Sequence, residues 1–155
     1  MDELSAMVLK LEGQQEHYGK VFPLAYQCDT GKANLDEATE WVADHASTLC
    51  SQATAHGAIL LRGFPLNSAE DFDAVVKAFN LPGFSYEESL SNAYRINFTP
   101  RVFSANEAPP EITIPLHHEM AQTPIYPSKL FFFCQAAPKA GGATPICRSD
   151  VLWER

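Results

Sequence analysis

Apolar residues recur every third or fourth position in the region that follows the first thirty residues. Such spacing places them on one face of an amphipathic helix. Asn34 and Glu37 at the start of this region have the spacing of a capping box, and Gly57 is the expected end of the helix. The apolar face comprises Leu35, Ala38, Trp41, Val42, Ala46, Leu49, Cys50 and Ala53.

A second helix is predicted after a short strand. The apolar run at 58–61 predicts a buried strand that ends by Gly63 and Pro65. Ser68 is then placed to cap the second helix, which the Pro82-Gly83 pair ends. Its apolar face comprises Phe72, Val75, Val76 and Phe79. The first thirty residues are polar and irregular, and no element is predicted there.

The second half of the chain has a different character. From Phe84 onward there is no sustained helical period, and prolines separate short β-type runs at 112–114, 130–134 and 144–147. This pattern is typical of strands joined by loops, as in a jelly roll or sandwich. At 149–155 a helix begins at the predicted cap Ser149 and stops after about a turn and a half. We therefore expect a chain that is cut short within its domain.

Composition favours one globular domain over residues 1–155, because 46% of the residues are apolar and 19% are charged. Eleven basic and nineteen acidic residues give a net charge of −8. This balance argues against nucleic-acid and anionic-membrane surfaces, which attract clustered Lys and Arg. No apolar run approaches the length of a spanning helix and no leader is recognisable, so a cytoplasmic protein is expected.

The four cysteines have no CxxC pair or zinc-finger spacing. They are Cys28, Cys50, Cys134 and Cys147. In apolar or strand-like sequence a free thiol usually acts as a small hydrophobic side chain, so reduced structural cysteines are predicted.

Residues 114–120 carry the most informative chemistry. Pro115 and Pro124 disfavour a helix, so the segment is expected on or beside a strand, where residues two apart share a face. His117 and Glu119 would then converge while His118 points away. One imidazole and one carboxylate are two of the three ligands of a facial triad that holds non-haem Fe(II). Solvated side chains at a strand edge are the alternative interpretation.

Three ordered blocks extend this motif. They are Pro-Leu-His-His-Glu-Met at 115–120, Tyr-Pro-Ser-Lys-Leu-Phe-Phe-Phe-Cys at 126–134 and Gly-Gly-Ala-Thr-Pro-Ile at 141–146. Together with the run at 57–64, the chain resembles the taurine dioxygenase (TauD/TfdA)-like Fe(II)/2-oxoglutarate-dependent oxygenases, in particular their clavaminate synthase-like branch.

The resemblance implies an α+β chain whose N-terminal helices lead into an incomplete double-stranded β-helix, or jelly roll. It also implies that His117 and Glu119 are iron ligands and that Thr144 contacts a carboxylate of 2-oxoglutarate. Fe(II) and 2-oxoglutarate would serve a hydroxylation-type oxidation of a small organic substrate. Thr144 is equally well explained as a β-branched strand residue, and His118 has no ligand role in the family.

The chain departs from the family at the third iron ligand. The family uses a later histidine and an arginine that pairs with the distal carboxylate of 2-oxoglutarate, but no histidine follows His118. His17, His45 and His56 lie in the unassigned N-terminal stretch or in the long helix, and are poor substitutes. We therefore expect a fragment of an oxygenase with little turnover by itself, and whether this chain is an enzyme stays open.

Two other functions are compatible with the sequence. A truncated or degenerate paralogue could act as a non-catalytic binding module that uses exposed strand edges. A zinc hydrolase using His117, His118 and Glu119 ranks last, because adjacent residues on a strand face opposite sides. An incomplete sheet favours association into a homo-oligomer. The polar segments Tyr94-Arg95 and 104–107 occupy the family's substrate side, but we interpret them as ordinary loop and strand polarity.

Overall fold

The computed structural model describes residues 4–29, 31, 33–84, 95–105, 109 and 111–155. The described residues form two compact units, and the fold is α+β. The first unit draws on Met1–Leu66, Ala74–Asn80 and Arg148–Arg155, and the second on Asn67–Asp73 and Leu81–Cys147.

Five short strands lie in the first unit. They are β1 (Ala6–Val8), β2 (Gln15–His17), β3 (Lys20–Phe22), β4 (Leu24–Cys28) and β5 (Ile59–Arg62). The sheet order is β1-β4-β5, with β1 antiparallel and β5 parallel to the central β4, while β2 and β3 form a separate antiparallel hairpin. The strand predicted at 58–61 is confirmed as β5, whereas the first four strands were not predicted.

The long helix α1 (Leu35–His56) connects β4 to β5, as a parallel strand pair requires. The predicted capping box is confirmed at its start. The Glu37 backbone N–H donates to Asn34 Oδ1 (3.0 Å), and the Asn34 backbone N–H donates to Glu37 Oε2 (2.9 Å). Gly57 ends the helix as predicted, with a φ of 83° and its N–H donating to the Ala53 carbonyl.

The apolar face of α1 packs into the core of the first unit. Ala38 and Val42 are completely buried, and Trp41 contacts the rings of Tyr26 and Phe64. These residues belong to the stripe that the helical period predicts, so the burial pattern of α1 follows directly from the sequence.

Helix α2 (Ala69–Ala78) begins after Ser68, whose Oγ accepts from the Asp71 N–H at 3.1 Å, which confirms the predicted cap. Helix α3 (Ser149–Trp153) differs from the prediction. Its first helical residue is Ser149 and the cap position is Arg148, so Ser149 is not the cap.

The strands predicted at 112–114, 130–134 and 144–147 are wrong for the described structure, where these runs have no regular strand. Backbone hydrogen bonds to neighbours define a strand, and β-type residues without such neighbours do not form one. Phe132 is 65% exposed, in keeping with a run that does not enter a sheet. The one bridge outside the named strands in the described part of the chain joins Asn97 to Phe103.

All four cysteines are free, as predicted. Cys28 is buried and Cys50 is half-buried, but Cys134 and Cys147 are exposed, because the runs that contain them do not enter a sheet. Over the described residues, no helix combines the length and apolar character needed to cross a membrane.

Candidate active site

Glu119 lies at the start of a tight turn in the second unit. The Ala121 N–H donates to the His118 carbonyl (3.3 Å), and the next turn closes from the Thr123 N–H to the Met120 carbonyl (3.0 Å). Met120 is buried and has a φ of 60°, a left-handed conformation that costs free energy for a residue with a side chain. Residues 119–122 therefore form a constrained turn, and Glu119 is not on a regular strand.

His117 precedes this turn in an extended, exposed segment without regular secondary structure. Its Nδ1 lies 2.9 Å from the Pro115 carbonyl oxygen. A carbonyl can only accept, so Nδ1 donates, and in the neutral ring the lone pair lies on Nε2. Histidines that ligate metals are commonly oriented by such a hydrogen bond from the other ring nitrogen.

Glu119 is paired with Arg95. Arg95 Nη2 donates to Glu119 Oε1 at 3.0 Å, and the two side chains are only 14% and 17% exposed. Arg95 also donates to the backbone carbonyls of Ser104 and Ala105, and its guanidinium lies 5.7 Å from the centre of the Phe103 ring. The carboxylate is thus partly buried and held by the guanidinium of Arg95.

The ion pair lines a cavity of about 200 Å³ in the second unit. Its wall is mainly aromatic, and Phe72 and Phe133 stack with ring centres 5.4 Å apart. This volume is smaller than that of most ligand pockets, which is about 300–1,000 Å³. The other aromatic wall residues are Phe98, Phe103, Phe131 and Phe132.

The predicted site residues are therefore only partly gathered. Glu119 lines the cavity, whereas His117 and Thr144 are exposed and are not among its lining residues. His118 is exposed as well. In the part of the chain that the structure describes, no three His, Cys, Asp or Glu side chains form a group that could hold a metal ion.

The other three histidines belong to the first unit and have partners there. His45 Nδ1 lies 2.8 Å from the Trp41 carbonyl oxygen, and His56 Nδ1 lies 2.8 Å from the Val21 carbonyl oxygen. His17 Nε2 lies 2.9 Å from Gln15 Oε1.

Sequence reasoning missed the role of Arg95 in this site. The polar segment that contains it was interpreted as ordinary loop polarity, but its guanidinium reaches the Glu119 carboxylate. The available signal was a basic residue in a polar segment on the expected substrate side of an acidic chain. Tyr94, Asn106 and Glu107, named with it, lie outside the described residues.

Two curated proteins are similar to this chain. A clavaminate synthase-like protein of Arabidopsis thaliana is 43% identical over 148 residues, which cover 92% of this chain and 44% of that protein. The dapdiamide synthesis protein DdaC of Enterobacter agglomerans is 33% identical over 97 residues, which cover 62% of this chain and 29% of that protein. The chain thus spans less than half the length of these relatives.

A family comparison covers most of the chain. Residues 20–155, which include the Glu119 turn and the cavity wall, match the family described as taurine catabolism dioxygenase TauD, TfdA. The order of the sequence blocks and this match agree, so the chain belongs to the TauD/TfdA dioxygenase family.

Proposed function

We propose that this chain is the N-terminal part of a single Fe(II)/2-oxoglutarate-dependent dioxygenase domain that oxidises a small organic substrate. His117 and Glu119 are its first two iron ligands. The observation that carries the proposal is the hydrogen bond from His117 Nδ1 to the Pro115 carbonyl, which leaves Nε2 as the donor atom two residues before a carboxylate. Membership of the TauD/TfdA family supports the same assignment.

The donor set fits the metal. One imidazole and one carboxylate are two members of the 2-His-1-carboxylate triad that suits Fe(II). When bound, iron and 2-oxoglutarate supply the oxygen activation needed to oxidise an unactivated C–H bond. A second histidine would complete the triad, and the longer relatives support a source for it outside this chain.

The residues of this chain have separate tasks in that chemistry. The Pro115 carbonyl fixes the tautomer and orientation of His117, and the turn at 119–122 holds the carboxylate. The aromatic residues of the cavity wall lie beside the carboxylate and leave its side chain only 17% exposed, which limits the water around it. Thr144 would contact a carboxylate of 2-oxoglutarate once its segment joins a sheet.

The runs at 112–114, 130–134 and 144–147 support a jelly roll as the complete fold. They have β-type sequence but no strand neighbours in the described structure. Pairing with further strands would bury their exposed apolar side chains and bring the site segments together.

The test is an anaerobic Fe(II) titration of this chain with 2-oxoglutarate, followed by the weak visible charge-transfer band of the chelate. We expect a band that is lost in His117→Ala and in Glu119→Ala. His118→Ala is the matched control, because it removes the adjacent imidazole and should keep the band.

A folded chain without the band, or a band that survives both substitutions, would overturn the ligand assignment. The first result would favour the alternative of a non-catalytic binding module. That alternative is supported by the many exposed apolar side chains of the second unit, such as Leu116 at 61% and Tyr126 at 68% exposure.

A further inference from the structure

The guanidinium of Arg95 is held from several directions at the cavity wall. Nη1 donates to the carbonyls of Ser104 (3.2 Å) and Ala105, and the Phe103 ring lies beneath the cation. Nη2 is turned to Glu119 Oε1 at 3.0 Å. A planar fork whose two nitrogens have different partners has little freedom to rotate.

The backbone that supplies these partners is itself fixed. The Ser104 N–H donates to the Ile96 carbonyl (2.9 Å), and Ser104 Oγ accepts from the Ile96 N–H (2.9 Å). The bridge between Asn97 and Phe103 adds a further tie. The hydrogen bonds between Ile96 and Ser104 therefore fix the backbone next to Arg95 relative to the Ser104 and Ala105 carbonyls that accept from its guanidinium.

We propose that Arg95 is a positioning residue for the Glu119 carboxylate. By holding Oε1, the guanidinium restricts the carboxylate to one orientation in the cavity wall. The Glu119 side chain is therefore ordered before a metal ion binds. The inference rests on the proposed function, because it assumes that Glu119 is a metal ligand. Partners that orient ligating carboxylates typically change metal affinity by about 10- to 100-fold when they are replaced.

A competing effect has the opposite sign. A cation beside the carboxylate repels an incoming metal ion, so removal of Arg95 would tighten metal binding if repulsion dominated. We expect orientation to dominate, because the positive charge is delocalised over the guanidinium and faces two backbone carbonyl oxygens as well as the carboxylate.

The experiment measures Co(II) affinity of the full chain from its visible absorption bands, because Co(II) binds nitrogen and oxygen ligands more tightly than Fe(II). Arg95→Met, which keeps an apolar stem of similar length, should weaken binding about 10-fold. Arg101→Met is the matched control in the same segment, since Arg101 is exposed, and should leave the affinity unchanged. Arg95→Lys keeps the charge without the fork and should also weaken binding.

A double-mutant cycle separates positioning from a general structural role. In the Glu119→Gln background Arg95→Met should have no further effect on Co(II) affinity, whereas a structural role would lower affinity in both backgrounds. If Arg95→Met does not fold, the same cycle is run with Arg95→Lys.

The outcomes distinguish the two proposals. If Glu119→Gln weakens Co(II) binding but the Arg95 variants bind equally or more tightly, the positioning role is overturned and the ligand assignment stands. If Glu119→Gln binds Co(II) like the unsubstituted chain, or the unsubstituted chain binds none, both are overturned.

Discussion

At the scale of single residues, Gly57 is required both by its backbone conformation and by the close approach of neighbouring side chains. Its φ of 83° lies in the left-handed region, and a Cβ there would lie 3.0 Å from Arg148 Cγ and 3.3 Å from Phe22 Cδ2. Glycine satisfies both the backbone conformation and the close approach. The sequence predicts the first requirement, because glycine commonly follows a helix, but not the second, which depends on distant residues.

Gly57→Ala should therefore lower the free energy of unfolding by about 2 kcal/mol, from backbone strain together with the steric contact. Gly13→Ala is the matched control, because Gly13 also has a positive φ of 71° but a Cβ there would meet nothing within 4 Å. It should cost only about 1 kcal/mol. Urea denaturation measures both, and equal losses would contradict the role assigned to the Arg148 contact.

The candidate site was predictable at residue scale only in part. The His-x-Glu spacing identifies two metal-ligand types, but a sequence cannot indicate which cation lies beside the carboxylate. Arg95 is 24 residues from Glu119 along the chain, and their pairing depends on how the intervening loop closes.

At the scale of elements, the helices follow from local signals. Three signals specify α1: its apolar stripe, the capping box of Asn34 and Glu37, and Gly57 at its end. Ser68 specifies the start of α2. Strands β1 to β4 have three to five residues each, too few for a periodic pattern to be recognised. The hairpin between β2 and β3 did carry a signal, since Tyr18 and Gly19 have φ values of 53° and 70° and a glycine at such a turn is typical.

Asn34→Ala should destabilise the chain by about 1 kcal/mol, because the first turn of α1 loses its side-chain acceptor. Ser47→Ala is the control on the exposed surface of the same helix and should be neutral or slightly stabilising, since alanine has the higher helix propensity. Thermal unfolding followed by circular dichroism compares the two. A loss in Ser47→Ala as large as that in Asn34→Ala would contradict the capping role.

Arg148 at the start of α3 forms an ion pair with Asp150 and a separate hydrogen bond to the end of α1. Arg148 Nε and Nη2 donate to Asp150 Oδ1 (3.0 Å) and Oδ2 (2.5 Å), and Nη1 donates to the Ala55 carbonyl near the end of α1 (3.2 Å). The hydrogen bonds from Arg148 lower the pKa of Asp150 below its ordinary value. Arg148 therefore both holds the Asp150 carboxylate and connects the start of α3 to the end of α1.

Because the pKa of Asp150 is lowered in the folded chain, the stabilisation that the Arg148–Asp150 pair provides depends on pH. Because the folded pKa lies below the unfolded one, the stabilisation is complete above about pH 4 and is lost as the pH falls through the folded pKa. Asp150→Asn should be less stable than the unsubstituted chain at pH 7, and the difference should shrink at pH 3. Urea denaturation at both pH values measures this, and a difference that stays constant or grows at low pH would contradict it.

At the scale of the whole molecule, the second unit carries β-type runs without strand partners. Exposed apolar residues in such runs favour association through edge pairing. The sequence predicted strands in these runs, but the described structure has none there, because a strand forms only where a neighbouring segment supplies backbone hydrogen-bond partners. The chain spans 44% of its Arabidopsis relative, which supports the proposal that partner strands belong to the longer protein.

Phe132→Ser should reduce self-association, because this 65% exposed side chain lies in the middle of the run at 130–134. Phe98→Ser is the control, since Phe98 is 50% exposed but lies outside the β-type runs, and it should have a smaller effect. Sedimentation velocity over a range of concentrations gives the result. Equal association in all three proteins would exclude this run as the contact.

The location of bound iron tests the central claim most directly. Fe(II), ascorbate and O₂ produce oxidants next to bound iron, and mass spectrometry then maps the modified peptides. We predict that modification concentrates at residues 114–123 and in the loop at 95–105, and that Glu119→Ala removes this pattern. Modification centred on His17, His45 or His56, unchanged by Glu119→Ala, would contradict the assignment of His117 and Glu119 as the iron ligands.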